Sequence, residues 1–87
     1  MNLCFVIGKI VSNIDFQFIL QSKNISIALF KIQLYNNSIV AVKAYNEIAD
    51  YCYKKLEKNS IICIQGELNS KLEIIINNIE IIGQDNK

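Results

Sequence analysis

Only one stretch of this 87-residue chain carries a helical period, and strands hem it in on both sides. Residues 54–68 read KKLEKNSIICIQGEL: a basic, helix-like run passes into an apolar strand with only Asn59-Ser60 as punctuation. Upstream, Ile48, Ala49, Cys52 and Leu56 recur at helical spacing. Asn46 can cap the start with its side-chain oxygen. Glu47 and Asp50 lie where the positive end of the helix dipole favours acids, and Lys54, Lys55 and Lys58 where the negative end favours bases. Asn59 suits a left-handed stop. A lone helix handed over so abruptly to a strand acts as a plug at one end of a small β structure.

The rest of the chain alternates with period two. Leu3 to Val11 is apolar on both faces, with Leu3, Phe5 and Ile7 on one and Cys4 and Val6 on the other. A strand apolar on both faces is covered on both, here by a partner subunit on the second. Gly8 marks a bend or close backbone approach. Asp15 to Leu20 continues the pattern as the second half of a bent first strand, and Ser22-Lys23-Asn24 is a turn. Ile25 to Tyr35 and Ile39 to Tyr45 are strands joined by the Asn36-Asn37 turn. After the helix come Ser60 to Leu68, the turn Asn69-Ser70-Lys71, and Leu72 to Ile82. The order predicts an all-β, five-stranded antiparallel OB-fold barrel with one α-helix between strands 3 and 4. Residues 1–83 form one domain and 84–87 a short polar end.

Composition narrows the function. Nine Lys face eight acids, with no Arg and no His, for a net charge of +1. That balance makes no strong long-range field for nucleic acid or anionic lipid. Without His, acid–base chemistry near pH 7 would need a shifted carboxylate or Lys. No nucleophile–base pair stands out, so an enzyme is not expected. Cys4, Cys52 and Cys63 are far apart and form no zinc spacing; they read as small buried hydrophobes in a reducing cytoplasm. No metal and no cofactor are expected. The opening apolar run stops at Lys9, too short to span a membrane. The hydrophobic fraction of 52% is high for so thin a core, which again points to a subunit interface.

The block Val42 to Leu68, VKAYNEIADYCYKKLEKNSIICIQGEL, resembles the bacterial single-stranded DNA-binding protein family and its relative primosomal replication protein N. The strand ending in an aromatic is matched by Tyr45, and the helix by Ile48, Ala49, Asp50, Lys55 and Leu56. Lys58-Asn59-Ser60 stands where the family has Lys-Gly-Ser, and Ile62, Ile64, Gly66 and Leu68 echo the next strand. Asn2 to Ile10 echoes the family's opening strand, and Ala28, Phe30 and Ile32 its second. The departures are short turns where the family has long basic and aromatic hairpins, no Trp, and Ile39 at a position often aromatic in the family. The family's acidic tail has no counterpart.

The resemblance implies a non-catalytic protein that binds single-stranded DNA, with RNA as the other candidate strand, and that pairs into a homodimer or homotetramer through the first strand at Leu3, Phe5 and Ile7. By strand parity the wetter face of the second and third strands carries Lys31, Gln33, Tyr35, Lys43 and Tyr45, and Lys9 can join it. Tyr45 holds the family's position for a stacking aromatic. Three to five lysines on phosphates would give a log–log salt slope of roughly −2 to −3.5. The rival reading is an OB-fold protein–protein module that has lost nucleic-acid binding.

Overall fold

The computed structural model describes residues 3–20 and 24–85. In chain order these form β1 (Leu3–Ile10), β2 (Asp15–Leu20), β3 (Asn24–Gln33), β4 (Ile39–Tyr45), α1 (Asn46–Lys55), β5 (Ser60–Leu68) and β6 (Ile74–Gln84). Asn2 and the Ser22-Lys23 part of the expected turn lie outside the described residues.

β1 pairs with β5, β5 with β6, β6 with β4, β4 with β3, and β3 returns to β1, so five strands close a barrel. β2 is a sixth strand, paired with β3. Two expectations are corrected. The helix stands between the fourth and fifth strands, not between the third and fourth. The barrel is also not wholly antiparallel, because β4 and β6 run parallel where Val42 faces Ile74 and Lys43 faces Ile75.

The extra strand arises from a break at residues 11–14. Ile10 faces Ile32 and Asp15 faces Leu29, so four residues stand against two of β3 and the ladder cannot continue. Ser12 fixes the break. Its Oγ accepts the Lys31 N–H at 2.8 Å and donates to the Asn13 carbonyl at 3.0 Å. Val11, expected inside the first strand, falls just past β1 and donates its N–H to the Lys31 carbonyl at 3.0 Å. β1 and β2 therefore lie end to end along one edge of β3. Where β1 crosses onto β3, a Cβ on Gly8 would stand 3.1 Å from both the Gln33 carbonyl oxygen and the Ile32 side chain. The close approach read from the sequence is there.

The inward faces follow the alternation: Ala28, Phe30 and Ile32 on β3, Val42 and Ala44 on β4, and Ile62 and Ile64 on β5 are all buried. Ala28 lies directly opposite Ala44, and both are fully buried with Ala49 of α1. Three side chains of one methyl each let the helix settle close to the sheet, where it packs chiefly on β3 and β4. Cys52 is fully buried on α1, and desolvation pushes its thiol from 9.0 up to about 12 against a smaller lowering by a backbone hydrogen bond. Cys4 and Cys63 are half-buried, not buried as expected.

The turns refine the element ends. Asn46 does not cap α1 with its side chain; it adopts φ 56°, which swings the chain sharply out of β4. The helix ends at Lys55, so Lys58 lies in the following turn. There Asn59 takes φ 77°, as expected, and the Ser60 N–H reaches the Glu57 carbonyl at 3.0 Å. β3 stops at Gln33 because Leu34 already belongs to the next turn, closed by Leu34 N–H to the Ser38 carbonyl at 2.9 Å with Asn37 at φ 71°. β6 begins at Ile74 and not at Leu72, which has φ 63° in a turn organised by Asn69. The Asn69 Oδ1 accepts the N–H groups of Lys71 and Glu73, both at 2.9 Å.

Candidate nucleic-acid interface

The register places side chains in rows across the outer face of β2, β3 and β4. One row is Gln17–Ile27–Tyr45, and the next is Asp15–Leu29–Lys43. Then come Lys31–Ala41 and Lys9–Gln33–Ile39. Lys31, Gln33, Lys43 and Tyr45 thus share one face, as parity predicts.

Tyr45 ends β4 and is 38% exposed. The Lys43 Nζ lies 5.6 Å from the centroid of its ring, within cation–π range. One side of the ring therefore meets an ammonium. Lys31 projects from β3 into solvent. It borders a groove of about 310 Å³, also lined by Ser12, Asp15, Ala41 and Glu73. Asp15 and Glu73 put two carboxylates into the lining of the groove that Lys31 borders, which weakens its pull on a phosphate.

Tyr35 is placed differently from the sequence reading. It lies past the end of β3, 98% exposed. From the row that holds Tyr45, β3 runs six more residues, roughly 20 Å, to its last residue Gln33, and Tyr35 lies beyond that end. Its neighbours are Lys9, Gln33 and Asn37 around a second groove of about 250 Å³. Five of the six expected residues therefore run in successive rows along one face, from Tyr45 through Lys43 and Lys31 to Gln33 and Lys9, and Tyr35 lies past the strand end in the turn beside Gln33 and Lys9. Lys9 is half-buried and ion-paired, its Nζ 3.1 Å from the Asp85 Oδ2.

Leu3, Phe5 and Ile7 line the outer face of β1 opposite Glu67, Gln65 and Cys63 of β5. All three are more than half exposed, and Phe5 reaches 73%. Beside them, Tyr35 and Leu34 complete an apolar hollow with Phe5, Val6 and Ile7.

Sequence reasoning missed two features. β3 outruns β4, whose last residue Tyr45 faces Ile27, so Asn24 to Ser26 pair with β2 alone as a two-stranded ribbon. Phe18 on that ribbon is 55% exposed, and Phe16 at its base stacks against Tyr53 of α1 at 4.6 Å between ring centroids. The alternation of Phe16, Phe18 and Leu20 was the available signal. The second feature is Asp85, for which a separation of 76 residues from Lys9 left no local sign. Among the described residues, no cluster of His, Cys, Asp and Glu could hold a metal ion, and no helix is long and apolar enough to cross a membrane.

No known family profile and no curated protein sequence matches the chain. Solved structures do. The SSB domain of a Synechococcus protein superposes with a TM-score of 0.81 at 18% identity, over 92% of this chain and 94% of that one. The wild-type single-stranded DNA binding protein of Thermus aquaticus gives 0.83 at 14% identity, over 100% of this chain and 43% of that longer one. The second single-stranded DNA binding protein of Mycobacterium smegmatis, SSBb, gives 0.79 at 18% identity, over 99% and 98%. At these identities the likeness establishes a common fold, the OB-fold of those proteins.

Proposed function

We propose that this chain, built on that OB-fold, is a non-catalytic single-stranded DNA-binding protein that holds exposed strands during replication, recombination or repair. The observation that carries the reading is the joint placement of Tyr45, Lys43 and Lys31 on the outer face of β3 and β4. In the five-strand numbering of the fold, with β1 and β2 as one interrupted strand, this is the wall that OB-folds turn towards oligonucleotides. An aromatic for base stacking beside cations for the backbone is the minimum such a face needs. The structural neighbours named as single-stranded DNA-binding proteins support the same reading.

With Lys9 ion-paired, Lys31 and Lys43 remain on the face as the lysines outside an ion pair among the described residues. Two phosphate contacts give a log–log salt slope of about −1.4, a roughly sevenfold loss of affinity between 50 and 200 mM salt. This is shallower than the sequence alone suggested. Fluorescence anisotropy of a labelled oligo-dT of ~35 nucleotides, a length covering several OB-fold site sizes, measures it directly. No saturable binding at tens of micromolar and 50 mM salt would sink the DNA reading. The protein–protein module would then take its place, a reading favoured by Asp15 and Glu73 in the groove beside Lys31.

The same proposal includes a homodimer or homotetramer assembled on β1. An apolar strand face left open, with Phe5 at its centre, is unusual for a free surface. Phe5→Asp places a charge there and should weaken self-association at least tenfold in sedimentation equilibrium. An unchanged oligomer would move the interface elsewhere.

A further inference from the structure

Resting on that reading, we infer that Asp85 is a built-in counter-ion that withholds Lys9 from the DNA backbone and so sets how tightly, and with what salt response, the face binds a strand.

The carboxylate is delivered by a strap of backbone and side-chain bonds, not by its charge. The Asp85 N–H donates to the Asn59 carbonyl at 2.9 Å, and the Asn59 N–H donates to the Ile10 carbonyl at 2.8 Å. The residue before it, Gln84, accepts from the Ser60 Oγ and donates to the Lys58 carbonyl, both at 3.3 Å. The last residues of β6 and Asp85 are thus tied across the helix-to-strand turn to the residue next to Lys9. From that anchor the Asp85 Oδ2 meets the Lys9 Nζ at 3.1 Å, with both side chains about one-third exposed.

Lys9 is otherwise well placed. It lies opposite Gln33, one row beyond Lys31 on the same outer face. A phosphate arriving there meets an ammonium already neutralised at contact distance by a carboxylate fixed independently of it. Binding must either break the pair or accept the repulsion of the acid. Either way this lysine adds no counterion release to the encounter. Lys31 and Lys43 have no such partner among the described residues, and they carry the phosphate track alone.

The test is a double-mutant cycle in the anisotropy assay. Asp85→Asn keeps the size of the side chain and the backbone bond to Asn59 while removing the charge. Its salt slope should steepen by about 0.7, from about −1.4 to about −2.1, and its affinity at 50 mM salt should rise on the order of fivefold to tenfold. Lys9→Gln in the parent should leave the salt slope at about −1.4, because the paired lysine supplies no counterion release; any loss of affinity then reports the uncovered Asp85 charge. Lys9→Gln with Asp85→Asn should return the slope to the parent value, which relief of acid repulsion alone would not do. A slope unchanged in Asp85→Asn, or a slope in Lys9→Gln as shallow as that of Lys43→Gln, would overturn the counter-ion while leaving DNA binding standing. Absence of binding in both the parent and Asp85→Asn would overturn the DNA reading and this inference with it.

Discussion

Gly66→Ala should lower the melting temperature by roughly 12–24 °C. Gly66 is buried in β5 at a point where β6 slips register: Gly66 faces Ile76, but Gln65 faces Asn78, so Asn77 is left as a bulge. A Cβ on Gly66 would run into the carbonyl oxygen of Ile75, with the Ile75 carbonyl carbon at 2.9 Å and the Ile74 Cγ2 at 3.0 Å. Two of these atoms belong to the paired backbone and cannot rotate away. Overpacking of this kind costs about 3 kcal/mol, the upper part of its usual range. For a domain of this size each kcal/mol moves the midpoint by about 4–8 °C. Gly83→Ala is the control, since its Cβ would make ordinary contact with Ile61 at 3.8 Å. Thermal melts followed by circular dichroism compare the two; a Gly66→Ala midpoint within a few degrees of Gly83→Ala would mean that β6 can shift at the bulge.

Tyr45→Ala should weaken single-strand binding by about 1–3 kcal/mol, or about 5- to 150-fold, the range measured for loss of one stacked base. Tyr45→Phe should stay within about twofold, because ring and quadrupole both remain. The parent geometry has Lys43 over one side of the ring, so a base takes the other side or displaces the ammonium onto a phosphate. In either case the proposed contact uses the ring and not the hydroxyl. Equal affinities for Tyr45→Ala and the parent in the same anisotropy titration would remove Tyr45 from the interface.

Much of this architecture was legible because strand alternation reports burial directly. The bounds of β4 and β5 came straight from it, and so did the inward set Ala28, Phe30 and Ile32. Asn37 and Asn59 were readable as left-handed positions because Asn tolerates them. Asn46 shows the limit of that reasoning: the same side chain suits a cap or a positive φ, and here the second prevailed. Leu72 gave no sign at all, since Asn69 imposes its φ from three residues away through side-chain bonds. The break at 11–14 carries neither Gly nor Pro; a Ser12 hydroxyl standing in for a backbone partner made it. At the candidate site, parity placed Lys31, Gln33, Lys43 and Tyr45 correctly on one face. It overshot at Tyr35, where the hairpin had already begun, and it could not see that Lys9 would find Asp85, 76 residues away.

The closure of the barrel has a kinetic side. β1 finds its long partner only in β5, with Leu3 facing Glu67, and β4 finds β6 only across the helix. Neither contact can form locally, so loop entropy is spent before burial returns it, and folding belongs to the slower, millisecond-to-second class of β topologies. Throughout that interval the apolar run from Leu3 to Ile7 waits without a strand beside it. During synthesis the wait lasts at least until residue 68 has been added. The edge proposed above as a subunit surface is thus also the one from which an unfinished chain is most exposed to aggregation.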